Sequence, residues 1–159
     1  MSKVSLILVP GLLCDEALWA PQSKWLSDIA DISVGETQTD DGFPAMAEKI
    51  LEAAPARFAL AGLSMGGYVC MEIMRQAPER IERLALFDTS GRADTADQTK
   101  RRKALIELAT IGKFKGVTPR LLPLLIHKDR QNDEVLTSTV IEMAGRVGQA
   151  GFLRQQTAI

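Results

Sequence analysis

The chain has 159 residues, 46% of them hydrophobic and 25% charged, with a formal net charge of −1. That length and balance fit one globular domain with a real core, and the lack of a net basic field argues against a nucleic-acid or anionic-membrane partner. Two cysteines (Cys14, Cys70) without C-x-x-C spacing and one histidine (His127) argue against a disulfide framework and a His/Cys metal cluster, so no metal is expected and no cofactor is implied.

The N-terminal apolar run is shorter than the roughly 7–15 residues of a signal-peptide core, and no stretch approaches the ~20 residues of a membrane span. The expectation is a cytoplasmic protein. Val4–Val9 is a continuous, β-branched apolar run ended by Pro10-Gly11, the pattern of a strand buried on both faces. A helical pattern follows, with Leu18, Gln22, Trp25, Leu26 and Ile29 near one face. Ile32–Val34 reads as a short second strand. Asp40–Pro44 reads as a turn into a helix with Phe43, Met46, Ala47, Ile50, Leu51 and Ala54 on one stripe, stopped by Pro55.

Phe58–Ala61 is the third expected strand. It runs into Gly62-Leu63-Ser64-Met65-Gly66 and then a helix with Val69, Cys70, Ile73, Met74 and Ala77 on its apolar face, ended by Pro78. Ile81–Phe87 is the fourth strand, closing at Asp88-Thr89-Ser90-Gly91. This alternation predicts an α/β fold with a mostly parallel sheet. After Gly91 helical patterns dominate. Thr95–Gln98 matches a capping box, and Lys100-Arg101-Arg102-Lys103 reads as a solvated face beside Ala104, Leu105 and Leu108. Leu121 to Ile126 form an apolar patch around Pro123. Leu136, Val140, Met143, Ala144 and Val147 form a stripe. Residues 1–91 are therefore read as the sheet-bearing core and 92–159 as a helical cap or lid.

The G-x-S-x-G segment between strand and helix has the form of a nucleophile elbow. Glycine at positions 62 and 66 lets two backbones pass where a β-carbon would not fit. Ser64 is then presented on a strained turn at a helix N-terminus, where amides favour developing negative charge. The Met65 N–H, next after the nucleophile, is one expected oxyanion donor. The Leu12 N–H in the loop Pro10–Cys14 is the second.

The segments LILVPGLLCD, AGLSMGGYV and RLALFDTS, in that order, resemble the α/β-hydrolase superfamily, and most nearly its small esterases and lactonases of the 3-oxoadipate enol-lactonase type. The resemblance covers the whole chain. It implies a Ser-His-Asp/Glu hydrolase that attacks a small ester, lactone or thioester and passes through an acyl-enzyme on Ser64. Acyl transfer or carbon–carbon bond hydrolysis on the same scaffold, and a non-catalytic binding protein that keeps the elbow, remain alternatives. Many relatives carry His-Gly where this chain has Pro10-Gly11.

The family's acid and histidine follow later strands, so the pattern expects a chain truncated after its cap, with the acid and base beyond Ile159 and little turnover. Asp88 is a candidate alternative acid, although a turn role is the simpler reading. His127 reads as a surface or helix-end residue, Cys14 as a packed small residue rather than a reactive thiol, and Cys70 as core. Ile81–Phe87 would then be a sheet edge, expected to be covered by a partner chain such as a second copy.

Overall fold

A computed structural model describes residues 3–159. Four parallel strands form its sheet: β1 (Val4–Val9), β2 (Ala30–Val34), β3 (Phe58–Leu63) and β4 (Ile81–Phe87), in the order β2-β1-β3-β4. The helices that precede the second, third and fourth strands are α1 (Ala20–Leu26), α2 (Phe43–Ala53) and α3 (Met65–Gln76). The register runs Leu6↔Ala59 to Val9↔Gly62 between β1 and β3, and Ala59↔Arg83 to Leu63↔Phe87 between β3 and β4. The C-terminal ends of β1, β3 and β4 thus come to one edge of the sheet, where their loops meet.

Side chains alternate faces along a strand, and the two faces of this sheet are covered unequally. Ile7, Val9, Phe58 and Leu60 pack with Met46, Ala47 and Ile50 of α2 and with Val69, Cys70 and Ile73 of α3. The other face has a small buried cluster of Leu8, Ala61 and Trp19, ringed by half-buried Leu6, Ile32, Val34, Leu63 and Ala85. Arg80 closes the first layer. Its guanidinium donates to the carbonyls of Leu51, Ala54 and Pro55 at the end of α2, at 3.0, 2.9 and 2.8 Å, and lies over the Phe58 ring. Carbonyls left over at a helix C-terminus are thereby satisfied by a cation.

β4 is the sheet edge, as expected, and its apolar residues are open: Leu84, Leu86 and Phe87 are 40%, 42% and 48% exposed. After Gly91 come α4 (Ala96–Leu108), a π-helical turn at Ala109–Lys113, α5 (Leu122–Leu125) and α6 (Glu134–Ala158); none of these residues joins the sheet. Thr95 forms the expected capping box with Gln98. In α6, Met143, Ala144 and Val147 are buried, as their spacing implied, and Gly148, with φ +66°, interrupts the helix.

Three readings need correction. The stripe from Leu18 to Ile29 is not one core-facing helix: a 3₁₀ turn at Glu16–Trp19 precedes the short α1, Trp25 is 80% exposed, and Ile29 lies outside the helix and open. Trp19 is buried there instead. The second strand starts at Ala30, two residues before the expected Ile32. The apolar neighbours of the basic run also fail to pack, since α4 buries none of its residues and Leu105 and Leu108 are exposed. In the patch around Pro123, Leu124 and Leu125 are exposed and Ile126 is the buried member.

Candidate active site

Ser64 joins β3 to α3 with φ +53° and ψ −115°, a conformation that L-residues rarely adopt and that costs of order 1–3 kcal/mol. Neighbouring backbone holds it there. The Ser64 N–H donates to the Phe87 carbonyl at 2.9 Å, and the Ser64 carbonyl accepts from the Gly67 N–H at 2.9 Å and the Thr89 hydroxyl at 2.8 Å. The end of β4 therefore clamps the turn through two groups.

The glycines show why the turn needs them. A β-carbon on Gly66 would lie 2.2 Å from the Val9 carbonyl oxygen and 2.7 Å from that of Pro10. One on Gly62 would lie 2.4 Å from the Gly66 carbonyl oxygen. α3 thus enters against the end of β1 at backbone contact. Gly67 was not singled out from the sequence, yet a β-carbon there would meet the Thr89 side chain at 2.4 Å. The doubled glycine at 66–67 was the only local sign of it.

The loop after β1 lies beside Ser64: a β-carbon at Gly11 would come 3.5 Å from the Ser64 Cβ. The Leu12 and Met65 amides have no acceptor among the described residues. Met65 is the first residue of α3, where such an unpaired donor is expected. Asp88 follows β4 with φ +42° and an exposed side chain, one step beyond the paired Leu63 and Phe87. His127 is exposed before a 3₁₀ turn, its Nδ1 accepting from the Asp129 N–H at 3.4 Å. Among the described residues, no group of three or more His, Cys, Asp or Glu is placed to hold a metal ion, and no helix is long and apolar enough to cross a membrane.

Cys14 lies in the same loop, with its thiol donating weakly to the Leu12 carbonyl at 3.5 Å. Burial, reinforced by the neighbouring Asp15 charge, pushes its pKa up to about 11. Burial alone pushes Cys70 to about 12. Neither is a thiolate near neutral pH. Iodoacetamide at mildly alkaline pH is expected to leave both thiols unmodified in the folded protein and to alkylate both in urea, as read by intact mass.

Sequence reasoning missed the residues that tie this loop to α6. Asp15 is buried, caps the 3₁₀ turn by accepting from the Ala17 N–H at 2.9 Å, and accepts from Arg146 Nε and Nη2 at 2.6 and 3.2 Å. Burial pushes this carboxyl's pKa up, but the bonds from Arg146 and Ala17 and the Arg146 charge outweigh it, and the net pKa is lowered. A lowered folded-state pKa contributes stability above the unfolded value, which is lost as pH falls through the folded value. Asp15→Asn is therefore expected to destabilise the protein at pH 7, with the difference from wild type shrinking below about pH 4. Urea titrations at the two pH values measure it.

No protein-family model matches the chain. It is 32% identical, over 98% of its length, to a protein of Agrobacterium fabrum bearing the name carbamate hydrolase RutD, of which it covers 66%. Its fold superposes on an esterase from Thermogutta terrifontis with a TM-score of 0.82 at 20% identity, covering 99% of this chain and 64% of that one. It matches an enol-lactonase from Burkholderia xenovorans LB400 equally well, with a TM-score of 0.82 at 21% identity, covering 100% of this chain and 65% of the other. This is an α/β-hydrolase-fold protein. It spans just under two thirds of the length of these relatives, which are named as hydrolases.

Proposed function

We propose that Ser64 is the nucleophile of a hydrolase acting on a small ester, lactone or thioester. The observation that carries this reading is the Ser64 backbone, held at φ +53° between a strand and a helix that meet at glycine. The names borne by the relatives support the same chemistry.

In this mechanism Ser64 Oγ attacks the acyl carbon. The carbonyl oxygen gains the negative charge and is held by the Leu12 and Met65 N–H groups, at the N-terminal end of the α3 dipole. The alcohol or thiol leaves with a proton, an ester forms on Ser64, and water cleaves it to release the acid. Residues 92–159 cover the site as a cap, a role supported by the hydrogen bonds from α6 to the loops after β1 and β2.

Attack by serine needs a base. The one histidine in these 159 residues is engaged with Asp129, so this chain by itself is expected to acylate slowly and turn over little. A fluorophosphonate probe tests the nucleophile separately from turnover. The expected result is slow covalent labelling that mass spectrometry places on Ser64. A folded protein with no label on Ser64 would favour a second reading, a binding protein that keeps the elbow.

A further inference from the structure

One peptide group carries both the Ser64 carbonyl and the Met65 N–H. It is trans, so the two point in opposite directions, and whatever fixes the carbonyl also aims the N–H. Two donors converge on that carbonyl: the Gly67 N–H at 2.9 Å and the Thr89 hydroxyl at 2.8 Å. The first is a bond that the opening turn of a helix supplies by itself. The second comes from another element, the segment that follows β4. Ser64 is strained, and ψ, the rotation about its Cα–C bond, is the torsion that swings this peptide. Relief of the strain through ψ would therefore move the Met65 N–H, and bonds to the carbonyl oppose that movement.

The sequence makes room for Thr89. A β-carbon on Gly67 would lie 2.4, 2.6 and 2.7 Å from Thr89 Oγ1, Cγ2 and Cβ, so the threonine sits where a side chain at position 67 would be. Gly67 is not among the residues with positive φ, so its backbone does not call for glycine. Glycine within a helix costs about 1 kcal/mol relative to alanine. What the missing β-carbon provides is the seat for Thr89. Asp88, at φ +42°, turns the chain between β4 and that seat. The buried Gln155 of α6, whose Oε1 accepts from the Leu13 N–H at 3.0 Å, holds the loop after β1 through a peptide that carries neither oxyanion donor. Thr89 acts on the peptide that carries one.

We propose that Thr89 is a positioning residue for the oxyanion site: its hydroxyl, bonded to the Ser64 carbonyl, keeps the Met65 N–H aimed at the carbonyl that Ser64 attacks. This rests on the assignment of Ser64 and Met65 above. The same bond polarises the peptide, which makes the Met65 N–H a stronger donor to developing negative charge.

The test follows the rate of Ser64 labelling by a fluorophosphonate, whose phosphoryl oxygen occupies the oxyanion position, together with the NMR resonance of the Met65 amide. Thr89→Val keeps the shape of the side chain and removes the hydroxyl. It is expected to shift the Met65 resonance and slow labelling about fivefold, measured well below the unfolding transition. Thr89→Ser keeps the hydroxyl and is expected to label within about twofold of wild type. A role in packing alone predicts the reverse order, with Thr89→Ser, which loses the methyl, the more affected. Gly67→Ala drives the threonine off its seat without altering it, so a similar slowing of about fivefold is expected, and adding Thr89→Val should slow labelling no further. Wild-type labelling in a folded Thr89→Val protein, or equal slowing in Thr89→Val and Thr89→Ser, overturns the proposal. Should Thr89→Val not fold, Gly67→Ala decides, and unchanged labelling there overturns it. A folded wild-type protein that is not labelled at Ser64 removes the assignment of Ser64, and this proposal falls with it.

Discussion

Gly66→Ala is expected to lower the unfolding free energy by about 3 kcal/mol or more, as measured by urea denaturation. The added methyl would meet the carbonyl oxygens of Val9 and Pro10 and the Val9 carbonyl carbon, at 2.2, 2.7 and 2.8 Å. All three are backbone atoms at the end of a buried strand, so no side chain can swing aside. Either α3 lifts from the sheet or β1 bends, and both disturb the layer formed by Val9, Val69 and Ile73. Gly145 serves as the internal comparison. It lies in α6 with nothing within 4 Å of a β-carbon, and Gly145→Ala is expected to stabilise by up to about 1 kcal/mol through helix propensity. Opposite signs for one chemical change separate close approach from any general effect of removing a glycine.

Ser64→Ala is expected to abolish fluorophosphonate labelling. The Thr89 hydroxyl beside the turn is engaged as a donor to the Ser64 carbonyl, and neither cysteine is a thiolate to take the probe instead. The fold should be little changed, since alanine keeps the β-carbon and occupies the same strained backbone. Ser64→Gly is expected to lose labelling equally and to raise stability by about 1 kcal/mol, because glycine accepts a positive φ without crowding. The pair separates the hydroxyl from the backbone strain. An unlabelled Ser64→Gly protein that is also less stable than wild type would show that the turn is not strained.

The elbow was legible because its requirements are local. A helix that starts within one residue of a strand must pass close to the neighbouring strand, and only glycine at positions 62 and 66 permits that. The parallel order was legible from the alternation of short β-branched runs with helical stripes. The support of the loop after β1 was not, because Gln155 and Arg146 lie more than 130 residues from the loop and look like ordinary polar residues of a helix. Nothing in the local pattern marks a buried glutamine as different from a solvated one. The stripe around Trp25 misled for the opposite reason: helical spacing was present, but the thinly covered second face of the sheet buries Trp19 and leaves Trp25 in solvent. Periodicity reports that one face of a helix is apolar, and only tertiary packing decides whether anything covers it.

The clamp on Ser64 ties chemistry to the least protected strand. The Ser64 amide and carbonyl are held by Phe87 and Thr89, at the end of β4, which borders the sheet and exposes Leu84, Leu86 and Phe87. Edge strands with few buried contacts open before the rest of a domain. Fraying of β4 would release Ser64 from its strained turn while β1, β3 and the layer beneath them stayed folded. Heat or denaturant would then relax the Ser64 turn before melting the protein, and the temperature at which that turn loosens would report the breathing of one strand rather than the stability of the whole.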